Sequence, residues 1–153
     1  MGLLTAFERK AVQAAAWSQQ ATGAVVGFHP GRSKESANEI MRIFQESGGK
    51  AQRAILCHAE SKFWSFQSCS LGLRFCFQTF TGTFDSMEEL CEFSKLGTII
   101  QFDLFGFESY LEPFTFPNDA QRIDMIKHLI KEEDCMDKIL ASSDIHTKHG
   151  LVS

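Results

Sequence analysis

No CxxC pair, no run of basic residues and no glycine-rich phosphate loop occur in this 153-residue chain. Nor is there an uninterrupted apolar stretch of membrane length. Each absence closes off a class. Five cysteines (Cys57, Cys69, Cys76, Cys91, Cys135), odd in number and unpaired in spacing, argue against a disulfide framework or a thiolate zinc site. With no signal-type leader at Met1-Gly2-Leu3-Leu4, the expected compartment is a reducing cytoplasm. Fifteen Lys and Arg against nineteen Asp and Glu leave a formal charge of -4, which argues against a nucleic-acid partner. Gly48-Gly49 fits neither GxGxxG nor Gly-Lys-Ser/Thr, so nucleotide binding has no support.

What is present is a cadence of short apolar runs and amphipathic stretches, the pattern of an α/β fold with a parallel sheet. Residues 5–20, with Phe7, Val12, Ala15 and Ala16 near helical spacing, predict a helix stopped by Thr22-Gly23. The run Ala24-Val25-Val26-Gly27-Phe28 then reads as a buried strand ending in His29 and cut off by Pro30-Gly31-Arg32. A second helix spans 33–47, marked by Ile40, Met41, Ile43 and Phe44. Ala54-Ile55-Leu56-Cys57-His58 repeats the arrangement, an apolar strand with a terminal histidine.

Residues 61–83 break the rhythm. Phe63, Trp64, Phe66, Phe75, Phe77 and Phe80 crowd there without an acid, yet Ser, Gln and Arg74 interrupt the stretch too often for a membrane span of about 20 apolar residues. It reads as an irregular Phe-rich insertion, with a lid-like loop as the second reading. Order returns with a helix at 87–96 (Leu90, Phe93, Leu96) and a strand at 98–105 bearing Asp103. Residues 107–117 follow as a loop. Asn118 or Asp119 caps a helix whose stripe is Ile123, Ile126, Leu129 and Ile130. A fourth strand, 138–144, ends at Asp144.

In a parallel sheet or barrel the carboxyl ends of successive strands share one rim, which makes neighbours of His29, His58, Asp103 and Asp144. Imidazole nitrogens and carboxylate oxygens suit zinc and related divalent ions. The plainer alternatives are a hydrogen-bonded structural histidine at each strand end, and for Asp103 a cap on the following turn. Arg32 offers a grip for an anionic group or a solvated charge, and Cys57 reads as a small buried apolar residue. Ser143, Asp144 and His146 do not form a nucleophilic triad, because neighbours on a strand point to opposite faces.

Four segments together carry a resemblance: His29-Pro30-Gly31-Arg32, Phe102-Asp103-Leu104-Phe105-Gly106, Asp119-Ala120-Gln121-Arg122-Ile123 and Asp144-Ile145-His146-Thr147-Lys148. They resemble the phosphotriesterase-related branch of the phosphotriesterase family, within the metal-dependent amidohydrolase superfamily. The resemblance covers the chain apart from residues 61–83. It implies a TIM barrel with a two-metal centre, usually zinc, at the carboxyl rim. On that pattern His29 and His58 bind one metal, while Asp144 binds the other and takes a proton from the bridging hydroxide. Arg32 and, less directly, Asp103 become substrate contacts. The implied reaction is hydrolysis of an ester or amide bond in a small molecule, of the N-acetyltaurine type, by a metal-activated water.

The same pattern implies that something is missing. The family's His-x-His pair and its bridging carboxylate or modified lysine have no counterpart here, and a TIM barrel typically needs about 250 residues. The expectation is therefore residues 1–153 as roughly the second half of a barrel, with 61–83 as its insertion. Catalytic zinc usually takes three protein ligands. The chain alone is accordingly expected to be inactive, or to be a non-catalytic fragment or pseudoenzyme unless another polypeptide completes it. No membrane partner is expected, and a homo-oligomer is compatible with the sequence.

Overall fold

The computed structural model describes residues 4–31, 33–60, 83–106, 110–111, 114–115 and 117–145. Residues 61–82 of the Phe-rich stretch, together with Arg32 and His146, lie outside them.

Local chemistry fixes the helix ends. Thr5 accepts from the Glu8 N–H while the Glu8 carboxylate accepts from the Thr5 N–H, a capping box that starts α1 (Ala6–Thr22). Gly23 ends it at φ +70, a left-handed position that a side chain would strain. Ser33 caps α2 (Lys34–Glu46) and Ser86 caps α3 (Met87–Ser94). Of the two caps expected for α4 (Asp119–Glu133), Asn118 is the one used, in a second capping box with Gln121. One helix stripe differs from expectation. Arg122, Met125 and Leu129 face inward on α4, whereas Ile123 is exposed. Phe7 on α1 is also exposed, and Val12 and Ala16 carry that helix's buried face.

Four strands form a parallel sheet in the order β1 (Val26–Phe28), β2 (Ala54–Leu56), β3 (Ile99–Phe102), β6 (Ile139–Ala141). Spatial order follows chain order, with helices between the strands, which is the layout of a partial (β/α) barrel. Where a loop is expected, Tyr110–Leu111 (β4) and Phe114–Thr115 (β5) instead pair antiparallel as a separate two-stranded ladder.

Register sorts the side chains. Val26 pairs with Ala54, Phe28 with Leu56, Leu56 with Ile100, and Ile100 with Ile139, so these residues share one face. That face meets the helices: Phe28, Leu56, Ile100 and Phe102 join Ile40, Phe44, Leu90, Met125 and Leu129 in a continuous core. Phe28 and Phe44 meet edge to face at 5.0 Å, a contact worth about 0.5–1.5 kcal/mol beyond the area it buries. The alternate residues, Gly27, Ile55, Ile99, Gln101 and Leu140, turn to the other face and are partly or fully exposed. The strands expected to be buried on both faces are thus buried on one, because only one face meets helices. No described strand pairs with the outer border of β1 or of β6.

Candidate metal centre at the strand ends

The strands stop earlier than the apolar runs suggest. β2 ends at Leu56, and His58 sits just beyond it with φ +52; β6 ends at Ala141, and Asp144 lies beyond with φ +46. Left-handed backbone at residues other than glycine costs energy and tends to persist where a site requires it. Ladder hydrogen bonds nevertheless continue past the strand ends, from Cys57 N–H to the Phe28 carbonyl (2.9 Å) and from Ala59 N–H to the Gln101 carbonyl (3.2 Å). The rim is therefore anchored despite the turns.

His29 and His58 come together at this rim. Their rings meet edge on, with centroids 4.4 Å apart at 78°. His58 is held on its other side by Asp103, whose Oδ1 lies 2.7 Å from Nδ1 and whose Oδ2 accepts the His58 backbone N–H at 3.0 Å. The Asp103 hydrogen bond raises the imidazole pKa above its usual value against the opposing effect of burial. Burial pushes Asp103 itself up, but the hydrogen bonds and charge of His58 outweigh it and leave that carboxyl below its usual range. Asp103 is 3% exposed, so it stands behind the histidine rather than at an open mouth. Asp144 is exposed, and its charge reaches Cys57 and His58. Cys57 is half-buried, and burial, followed by the charges of Asp103, Asp144 and Glu60, raises its thiol pKa. It is consequently a poor nucleophile.

Two residues that sequence reasoning missed complete the arrangement. Glu60 is 1% exposed; its Oε1 accepts the backbone N–H groups of Asp103 (3.0 Å) and Leu104 (3.3 Å), while its Oε2 has no hydrogen-bond partner among the described residues. Burial first, and the Asp103 charge second, push its carboxyl up to about 7. Arg122, fully buried, lies 3.9 Å from Glu60 through Nε and donates from Nη1 to Asp119 at 2.8 Å. The signals were there in weak form: a carboxylate two residues after a strand-end histidine, and a cation three and seven residues before buried Met125 and Leu129. Thr83 also returns to this point, donating its hydroxyl to the His58 carbonyl (2.8 Å) and its N–H to the Glu60 carbonyl (3.1 Å).

The donor set fits a divalent ion. His58, Glu60 and Asp103 bring ligand-type atoms within 4.8 Å of one another, and Glu60 Oε2 has no hydrogen-bond partner among the described residues, although Arg122 lies 3.9 Å from Oε1. The His58–Asp103 pair has the form usual for a metal-binding histidine, one ring nitrogen given to a carboxylate and the other left available. Beside His29 opens a cleft of about 330 Å³, walled by Val12, Phe28 and Ile40 with the Ser33 and Ser36 residues at the start of α2.

Comparison with known proteins agrees with this layout. The model of the phosphotriesterase family matches residues 1–68 and 76–153. A phosphotriesterase-related protein of Aedes aegypti is 39% identical over 152 residues, covering 97% of this chain and 36% of the relative. The Drosophila melanogaster protein of the same name is 38% identical over 151 residues, covering 96% and 37%. The chain thus spans little more than a third of the length of these relatives. Among solved structures, the Escherichia coli phosphotriesterase homology protein, complexed with phosphate in its active site, superposes with a TM-score of 0.66 at 21% identity. That match covers 96% of this chain and 40% of the other. A mutant of a Deinococcus radiodurans lactonase gives 0.62 at 20%, covering 92% and 35%. With histidines at successive strand ends of a parallel sheet and a family match running from residue 1 to residue 153, the chain belongs to the phosphotriesterase family.

Proposed function

We propose that this chain carries part of the metal centre and of the barrel wall of a zinc-dependent hydrolase that cleaves ester or amide bonds in small molecules. The observation that carries the reading is the edge-on pair His29–His58, with His58 Nδ1 held at 2.7 Å by buried Asp103. In this reading His29 and His58 would hold one cation through ring nitrogens, and Asp144 would hold the second. A divalent cation supplies an acidified water and a polarised scissile bond. Asp144, an exposed carboxylate at the rim, would be the residue suited to take up a proton on a carboxylate oxygen. Asp103 keeps the proton on His58 Nδ1, leaving Nε2 as the donor. Arg32, which follows the β1 turn, grips an anionic group of the substrate.

Family resemblance favours an N-acyl amino sulfonate such as N-acetyltaurine, and the lactonase activity named for the Deinococcus protein supports an ester as the second class. The cleft of about 330 Å³ beside His29 suits a small molecule. Two histidines and one aspartate are too few for two catalytic ions, so activity requires donors from the remainder of the barrel. The test is metal content by mass spectrometry, and hydrolysis of N-acetyltaurine and a simple lactone, with the chain alone and joined to the rest of a relative's barrel. Zinc retention and turnover in the joined protein, abolished by His58→Ala, are expected. A joined protein that binds zinc and turns over normally without His29, His58 or Asp144 would refute the assignment. Turnover in neither form would favour the non-catalytic reading.

A further inference from the structure

We propose that Glu60 and Arg122 are positioning residues that set the protonation site of the His58 ring by holding Asp103 in place. The inference rests on the reading of His58 as a metal ligand and adds the device that presents it. Asp103 has a short side chain, so its reach to His58 Nδ1 depends on where its own backbone is fixed. Glu60 Oε1 fixes it, accepting the N–H groups of Asp103 and Leu104 together. Farther along the same loop, the Asp119 carboxylate accepts the Gly106 N–H through both oxygens, at 3.1 and 3.0 Å.

Arg122 joins the two anchors. Its Nη1 donates to Asp119, and its Nε faces Glu60 Oε1 at 3.9 Å. Lying between Glu60 and Asp119, this buried cation opposes at Glu60 the repulsion that comes from the Asp103 charge. The loop after β3 is therefore gripped on both sides of Leu104 and Phe105. The clamp is reciprocal: Glu60, two residues after His58, holds the backbone of Asp103, and Asp103 holds both backbone and ring of His58. With an Asp103 carboxylate oxygen 2.7 Å from Nδ1, the proton of the neutral ring is favoured there and the lone pair at Nε2. Loss of either anchor frees Asp103 to shift, and the ring then samples both tautomers.

Long-range proton–nitrogen NMR of the histidine rings, in EDTA and at a pH where His58 is neutral, reads this directly. The wild-type chain is expected to show a single Nδ1–H tautomer for His58. Arg122→Met and Glu60→Met are expected to show a mixture. Glu60→Gln, whose amide oxygen can accept the same two N–H groups, is expected to restore the wild-type pattern. Should Arg122→Met fail to fold, the contrast between Glu60→Met and Glu60→Gln decides by the same signal. Wild-type tautomers in a folded Glu60→Met or Arg122→Met chain would overturn the proposal. Zinc titration of the same proteins separates the two readings, since losing a group that orients a ligand typically weakens metal binding about 10–100-fold. A tautomer shift with unchanged zinc affinity, or no zinc binding by the wild type, would count against His58 as a ligand and leave the positioning intact.

Discussion

Glu60→Gln should stabilise this protein at pH 8 and leave it nearly unchanged at pH 4. In the folded chain the Glu60 carboxyl is pushed up to about 7 from an ordinary 4.5, first by burial and then by the charge of Asp103. Between those two values the folded state holds a proton that the unfolded state has released, so stability falls as pH rises through the window. Above it the full penalty applies, and a gap of that size corresponds to about 3 kcal/mol. Glutamine keeps the acceptor for the Asp103 and Leu104 N–H groups and carries no charge to bury. Urea unfolding followed by circular dichroism, with EDTA present, measures the difference. The variant should match wild type at pH 4 and gain up to about 3 kcal/mol at pH 8, which in a thermal melt is roughly 6–12 °C for a chain this size. An equal effect at both pH values, or a less stable variant at pH 8, would refute the account of a carboxylate buried at a cost.

The His58–Asp103 pair adds a second pH signature, of opposite sense at its two ends. The raised His58 pKa contributes stability that is complete below the ordinary 6.5 and is lost as pH climbs through the folded value. The lowered Asp103 pKa contributes stability present above the ordinary 3.8 and lost as pH falls through its folded value. Asp103→Asn should lower the His58 titration midpoint, read by NMR, and cost about 2–3 kcal/mol in urea; an unmoved midpoint would show that Asp103 does not set it. At Asp144, where φ is +46, glycine should be more stable than alanine by about 1 kcal/mol, and equal unfolding midpoints would argue against strain there. Phe102→Ala, at the fully buried carboxyl end of β3, should cost about 3–5 kcal/mol by the same unfolding assay, and a loss under about 1 would contradict the core assignment.

Much of this was readable from residue order alone. Apolar runs closed by His29 and His58 announced parallel strands, and Gly23 and Asn118 marked helix ends through the backbone geometry and capping chemistry they favour. The meeting of His29 and His58, with Asp103 behind, was legible because chain order and spatial order coincide in this sheet. Glu60 and Arg122 were not, for a physical reason: an ionised side chain reads as solvated until its partners are known, and Glu60 meets Asp103 and Arg122 from 43 and 62 residues away in the chain. The inward turn of Arg122 also rotated the α4 stripe and left Ile123 outside, which a hydropathy pattern has no means to foresee. The β4–β5 ladder was missed because strands of two residues leave no period to detect.

Among the described residues no strand lies beyond β1 or β6, and this has a geometric consequence. Three gaps of about 4.8 Å make its four strands an arc roughly 14 Å across. Because every strand runs the same way, the border at β1 and the border at β6 share one polarity. A β-hairpin laid across the opening would match one border and oppose the other, since its two strands point in contrary directions. Closure with like polarity throughout takes further strands of which the outermost two are themselves codirectional.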